Sequence, residues 1–223
     1  MILDAVGAVL PVALAVALNP FLLIAATLLL AAPRPRLNGW LFAVGWVLGL
    51  AALTAVVLLV TDEVEDAGST GPAVLAWLRV LLGAALIVLA VRKVLGRPRS
   101  GDEVTMPRWM TAFEAPRPAV SFSLGAGLGG ANPKNLAFTV SAAASISDLG
   151  LHGTDEAVAA GVYVLIGSAA VLALVLAHTV AGQRVEPALR ALSRVMTRHS
   201  AVIVAVVLLL IGGKVLGDGL AAL

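Results

Sequence analysis

Two stretches of equal length, Asp4–Ala32 and Ala119–Ser147, are apolar over most of their twenty-nine residues, yet each is interrupted near its centre by an Asn-Pro pair. The first carries Asn19-Pro20 followed by Phe21-Leu22, the second Asn132-Pro133 followed by Lys134-Asn135. An unbroken helix of that length would measure ~43 Å against a bilayer core of ~30 Å, so each stretch must tilt strongly, fold back or break. Proline lacks an N–H and suits the first helical position, and asparagine is a strong N-cap. Each pair therefore predicts a helix start in mid-stretch and turns its segment into two half-helices. The second half-helix then presents unpaired N–H groups and the positive end of its dipole near mid-membrane, where it attracts anions.

The predicted chemistry is recognition of an anionic or strongly polar headgroup by Lys134, Asn132, Asn135 and Asn19, with Pro20 and Pro133 setting the breaks and Thr139 adding a hydroxyl. Ionisable residues at such depth are costly, and where they occur they usually serve function. The plainer alternative is a proline kink mended by its asparagine, with the lysine bonded to carbonyls. That alternative suits Asn19-Pro20 better than the lysine-bearing copy, because a buried ammonium gains nothing as packing. Gly125, Gly127, Gly129 and Gly130, just before the second break, leave room for a second backbone or a substrate.

The rest of the chain places these segments in a membrane. Hydrophobic residues make up 60% of it and mean hydropathy is +1.01, and further apolar runs at 39–60, 73–91, 158–180 and 201–217 complete six expected spans. Loops one, three and five hold twelve Lys and Arg residues, and loops two and four hold none. The positive-inside rule thus predicts cytoplasmic odd loops, both termini outside, and a multi-pass protein of the cell membrane. Folding back of the fourth segment would bring its acidic exit loop to the basic side, so broken helices that still cross are expected. Arg79 and Lys214, near outer span ends, read as snorkelling cations. In the third loop Met106, Trp109, Met110 and Phe113 recur at helical spacing, predicting an amphipathic helix in the interface plane. A second short helix is predicted from Pro187, with Arg190, Arg194 and Arg198 in a row.

A weak internal repeat accompanies the six spans. Asn19-Pro20 returns as Asn132-Pro133, Gly45–Gly49 is echoed by Gly161–Gly167, and Lys93-Val94-Leu95-Gly96 returns as Lys214-Val215-Leu216-Gly217. Three spans per half invert the second half relative to the first, as in many secondary transporters. The expected fold is therefore all-α and integral to the membrane. Its six transmembrane helices form two inverted three-helix repeats, with the first and fourth helices broken at Asn-Pro. Residues 1–96 would form the first repeat, 97–118 a cytoplasmic linker and 119–223 the second repeat.

Other classes fit poorly. The absence of cysteine removes disulfides, thiolate metal sites and thiol redox relays. His152, His178 and His199 are scattered without metal-ligand spacing, and there is no P-loop or serine nucleophile motif. Neither an enzyme, nor a cofactor, nor nucleic-acid binding is expected, since the basic residues are sorted by loop as an insertion signal.

Asn19-Pro20, Asn38-Gly39-Trp40 running into Gly45-Trp46-Val47-Leu48-Gly49, then Pro107-Arg108-Trp109-Met110 and Asn132-Pro133-Lys134-Asn135 together resemble the GAP family, the sulfolipid-1-addressing and glycopeptidolipid-addressing proteins. The resemblance covers nearly the whole chain and is carried most specifically by the lysine-bearing Asn-Pro stretch and the double-tryptophan second span. That family is grouped with the LysE-type exporters, small six-span proteins with inverted repeats. The resemblance implies export of a lipid, glycolipid or other amphiphile toward the cell surface. It supplies no residue-by-residue site, and the first copy departs from the second in having no lysine. Three readings stay open: an amphiphile transporter with a midplane site and an apolar lateral opening; a LysE-like exporter of a small ion or amino acid with a closed, wetter cavity; and a membrane scaffold in a larger lipid-export complex that moves nothing itself. The expected partners are membrane lipids and the substrate, with a homo-oligomer or that larger complex as the assembly.

Overall fold

The computed structural model describes residues 2–65, 71–95, 116–147, 149–151 and 153–223. Among these residues the protein consists of eight α-helices: α1 (Ile2–Ala17), α2 (Pro20–Ala31), α3 (Pro35–Glu65), α4 (Gly71–Leu95), α5 (Pro118–Gly130), α6 (Pro133–Ser147), α7 (Thr154–Ala181) and α8 (Glu186–Ala221), with a 3-10 turn, Gly182–Val185, before the last. The predicted interfacial helix with Met106, Trp109, Met110 and Phe113 lies outside the described residues.

The helix starts follow local backbone chemistry. Asn19 adopts an extended conformation (φ −65°, ψ 114°), and its Oδ1 accepts from the Phe21 N–H at 3.2 Å while Pro20 opens α2. The second break repeats the device, with Asn132 Oδ1 accepting from the Lys134 N–H at 3.0 Å and Pro133 opening α6. In each case the cap satisfies one of the orphan amides that a helix start leaves. The axis bends by 49° between 6–17 and 21–31.

Two described helices, α3 over Pro35–Thr61 and α7 over Thr154–Ala181, are each long and apolar enough to cross a membrane; the bent α1–α2 pair adds a third if taken as one span. Large apolar side chains such as Leu48, Leu59, Leu81 and Leu165 stand exposed on the outer faces of α3, α4 and α7. Water would penalise so much contiguous apolar surface, whereas lipid accepts it. The protein is a helical integral membrane protein.

Inside the bundle Phe42, Trp46, Leu50, Phe138 and Tyr163 are fully buried. The most extensive contacts join α3 to α5 and α4 to α8, and α1 packs on α7 and on α6. Lipid offers helices no hydrophobic reason to associate, so close backbone packing between small residues must hold them. On α3, Gly45 and Gly49 face the backbone of Phe122 and Ala126; on α5, Gly125 and Gly129 face that of Phe42 and Trp46. A comparable seam joins α4 and α8, with Gly83 against Leu216 and Gly219 against Val80 and Ala76. The room expected around the α5 glycines is thus filled by a second backbone at Gly125, Gly129 and Gly130, and left open only at Gly127.

The seam also explains a departure from the sequence reading. Arg79, beside Val80 on α4, is buried, whereas Lys214 is exposed and pairs with Asp218 at 2.6 Å. The short helix expected from Pro187 does start there, but it continues without interruption as α8. Nothing between Pro187 and Gly212 is a helix breaker, so the helix runs on for 36 residues.

Candidate functional site

Asn19, Asn132, Lys134, Asn135 and Thr139 are placed as follows around the two breaks. Asn19 is buried and serves its own cap. Lys134, in the first turn of α6, carries its ammonium 5.2 Å from the centre of the Phe138 ring, a cation–π distance. Asn135 is fully buried, and its amide nitrogen donates backwards to the carbonyls of Leu128 at 2.9 Å and Gly129 at 3.1 Å. It thereby satisfies two of the carbonyls that the end of α5 leaves open. The amide staples the half-helices together across the break, while its Oδ1 has no hydrogen-bond partner.

Thr139 is likewise turned into the bundle, with its hydroxyl 3.0 Å from the Tyr163 hydroxyl of α7 and both residues fully buried. Losing one partner strands the other in an apolar interior. Thr139→Val should therefore lower stability by ~1–3 kcal/mol, and the Thr139→Val/Tyr163→Phe pair should recover most of that loss. Thermal unfolding of the purified protein in detergent reads the difference; a double variant no better than the single one would mean that the hydroxyls do not interact. The structure thus brings Lys134 to Phe138, Asn135 to α5 and Thr139 to α7, and sets α1, next to the first break, against α6.

Among the described residues, cavities lie elsewhere, one between α3 and α7 and another where the end of α2 joins them. α3 and α7 run antiparallel, since Trp40 Nε1 near the start of α3 donates to Thr179 Oγ1 near the end of α7 at 3.1 Å. Toward the acidic end they splay into a groove of about 650 Å³ lined by Thr54, Leu58, Leu59, Gly161, Val164 and Leu165, with Glu156 at one end and Ser168 deeper in. Leu59, Gly161 and Leu165 are exposed, so the groove opens sideways on the face that meets lipid. Ser168 is fully buried and its Oγ has no partner.

At the basic end a second cavity of about 700 Å³ is lined by Leu30, Arg34, Arg36, Leu37, His178 and Gly182, among others. Between the two lining sets, α3 carries Phe42 and Trp46 and α7 carries Val175, all fully buried. Neither cavity is lined by the residues around the Asn-Pro breaks.

Sequence reasoning missed both cavities. Arg34 and Arg36 counted only toward orientation and His178 as a stray histidine, while Glu156 and Ser168 carried no motif. The one usable signal was the echo of Gly45–Gly49 in Gly161–Gly167, which marks the helix pair now seen to border the groove. The described residues contain no group of three or more His, Cys, Asp or Glu side chains able to hold a metal ion.

Compared with known proteins, the chain matches the family model described as Sap, sulfolipid-1-addressing protein, over residues 9–221. No curated protein and no solved structure matches it.

Proposed function

The chain belongs to the Sap, sulfolipid-1-addressing protein family, and we propose on that basis that it is a secondary transporter moving a lipid, glycolipid or other amphiphile toward the cell surface. The observation that carries this reading is the dry, laterally open groove between α3 and α7. Its volume lies within the ~300–1,000 Å³ typical of small-molecule sites, and its walls suit an acyl chain rather than a hydrated ion. A LysE-like exporter of amino acids would call for a closed, wetter chamber.

Apart from the groove, the Asn-Pro breaks offer a second point of contact for the polar part of the substrate: Lys134 supplies a charge and the half-helix starts of α2 and α6 supply oriented dipoles. Six spans in two inverted repeats accommodate this route. The contact pattern supports the repeat: α5 packs on α3 as α1 packs on α7, and α4 packs on its counterpart α8. The loop charges put the basic end in the cytoplasm and both termini outside.

The test is movement of a labelled sulfated glycolipid across liposomes containing only this protein. Gly161 faces open space, so Gly161→Phe fills the groove without displacing a helix. The expected result is transfer by the native protein and on the order of tenfold slower transfer by Gly161→Phe, with Gly213→Phe, also in open space, unaffected. Transfer of amino acids instead of lipid would favour the LysE-like reading. Inactive native protein would favour a scaffold.

A further inference from the structure

The cavity at the basic end is built from three elements that converge from different parts of the chain. The end of α2 contributes Leu30 to Ala32, the start of α3 contributes Arg34 to Leu37, and the end of α7 contributes His178 and Gly182. Arg34 takes a left-handed conformation (φ 57°), and Gly182 (φ 57°) closes α7 by donating its N–H to the His178 carbonyl. The Asn38 amide holds the turn in place through the carbonyls of Pro33 at 2.8 Å and Pro116 at 3.3 Å.

The chemistry of the lining has one sign. Arg34 and Arg36 are exposed at the mouth, and among the described residues no acidic side chain lines the cavity. The first amides of α3 add the positive end of a 31-residue helix. Independently of these, His178 is 96% buried in the wall and its Nδ1 has no hydrogen-bond partner. A buried polar atom without a partner is costly unless something supplies one. Leu30 and Leu37 give the same cavity an apolar side.

We propose that this cavity docks the sulfate- or phosphate-type oxyanion of an amphiphile, with Arg34 and Arg36 gripping its oxygens, His178 completing the pocket and Leu30 and Leu37 receiving the first carbons of the chain. Guanidinium groups match such oxyanions through paired, charge-assisted hydrogen bonds. The assignment rests on the export reading and deepens it: this cavity, at the basic end of the α3–α7 pair, is the loading station and the groove toward the acidic end the release path.

The test is equilibrium binding to full-length protein in nanodiscs of phosphatidylcholine, using soluble short-chain phosphatidylglycerol, short-chain phosphatidylcholine and inorganic phosphate as separate probes. Saturable binding of the anionic lipid alone is expected. Arg34→Gln/Arg36→Gln should weaken it by about a hundredfold, one factor of about ten for each lost charge-assisted contact. His178→Phe should weaken it as well, while Arg184→Gln, exposed at the same end but outside the lining, should not. The arginine side chains are exposed, so their removal leaves the fold intact. Equal affinity for phosphatidylcholine, or an unchanged affinity in the double arginine variant, overturns the proposal; inorganic phosphate binding as tightly as the lipid overturns it in favour of a free-anion site. Because binding is read without transport, the two proposals fail separately. Specific binding with no transfer in liposomes defeats export alone, and transfer with no specific binding defeats the docking site alone.

Discussion

Valine at Gly125 of α5 or at Gly45 of α3 should push these helices apart and sharply lower the melting temperature. A β-carbon at Gly125 would collide with the Phe42 carbonyl oxygen and one at Gly45 with that of Phe122. Gly129 and Gly130 continue the seam, their β-positions 2.6 Å from the Trp46 carbonyl oxygen and 2.8 Å from that of Gly49. The obstructing atoms belong to helix backbones and cannot rotate away, so relief requires separating the helices. That separation forfeits the dispersion contacts and close backbone approach that associate helices in lipid. Overpacking of this kind costs ~3 kcal/mol or more, and for a chain of this size lowers the melting temperature by roughly 10 °C. Gly127 stands on the same helix with nothing within 4 Å, so Gly127→Val should melt at or slightly above the native temperature. Identical melting of the Gly125 and Gly127 variants in detergent would show that α3 and α5 do not touch through their backbones.

The second large effect concerns movement of substrate rather than folding. Lys134→Ala should slow transfer of the labelled glycolipid on the order of thirtyfold, corresponding to loss of about 2 kcal/mol of charge-assisted hydrogen bonding, with normal abundance in the membrane. Abundance should survive because what holds the break together is elsewhere. Asn132 caps α6 through the backbone of residue 134, which alanine retains, and Asn135 staples α6 to α5. The lysine side chain contributes an ammonium stacked over Phe138 at the head of a half-helix. Lys134→Arg should restore transfer only in part, since a planar guanidinium presents its donors in a different geometry from a compact ammonium. If abundance fell in step with transfer, Lys134 would be a structural residue.

The contrast between Lys134 and Asn135 shows how far the site was legible. Both follow the same proline, and from the sequence both were expected to face a polar substrate. Asn135 instead turns back to bond the end of its own segment, because α5 leaves carbonyls that must be satisfied where no water is present. Thr139 went the same way, to a tyrosine 24 residues further along. No local pattern predicts such partners. His178 is the converse case: without a motif it looked incidental, and only the meeting of three segments sets it in the same cavity lining as two arginines.

The amino-acid sequence by itself determined that the chain lies in a membrane and that two of its apolar stretches break at Asn-Pro, with a new helix starting at each proline. Those outcomes depend on the transfer free energy of each residue and on the missing N–H and fixed φ of proline, properties a residue carries wherever it is placed. The tertiary structure alone decided which glycines lie against a neighbouring backbone, which amides close the breaks, and where α3 and α7 part to form a groove and a basic pocket. Those depend on which helix faces come together, and in a chain built mostly of similar apolar residues that is set by shape over the whole bundle.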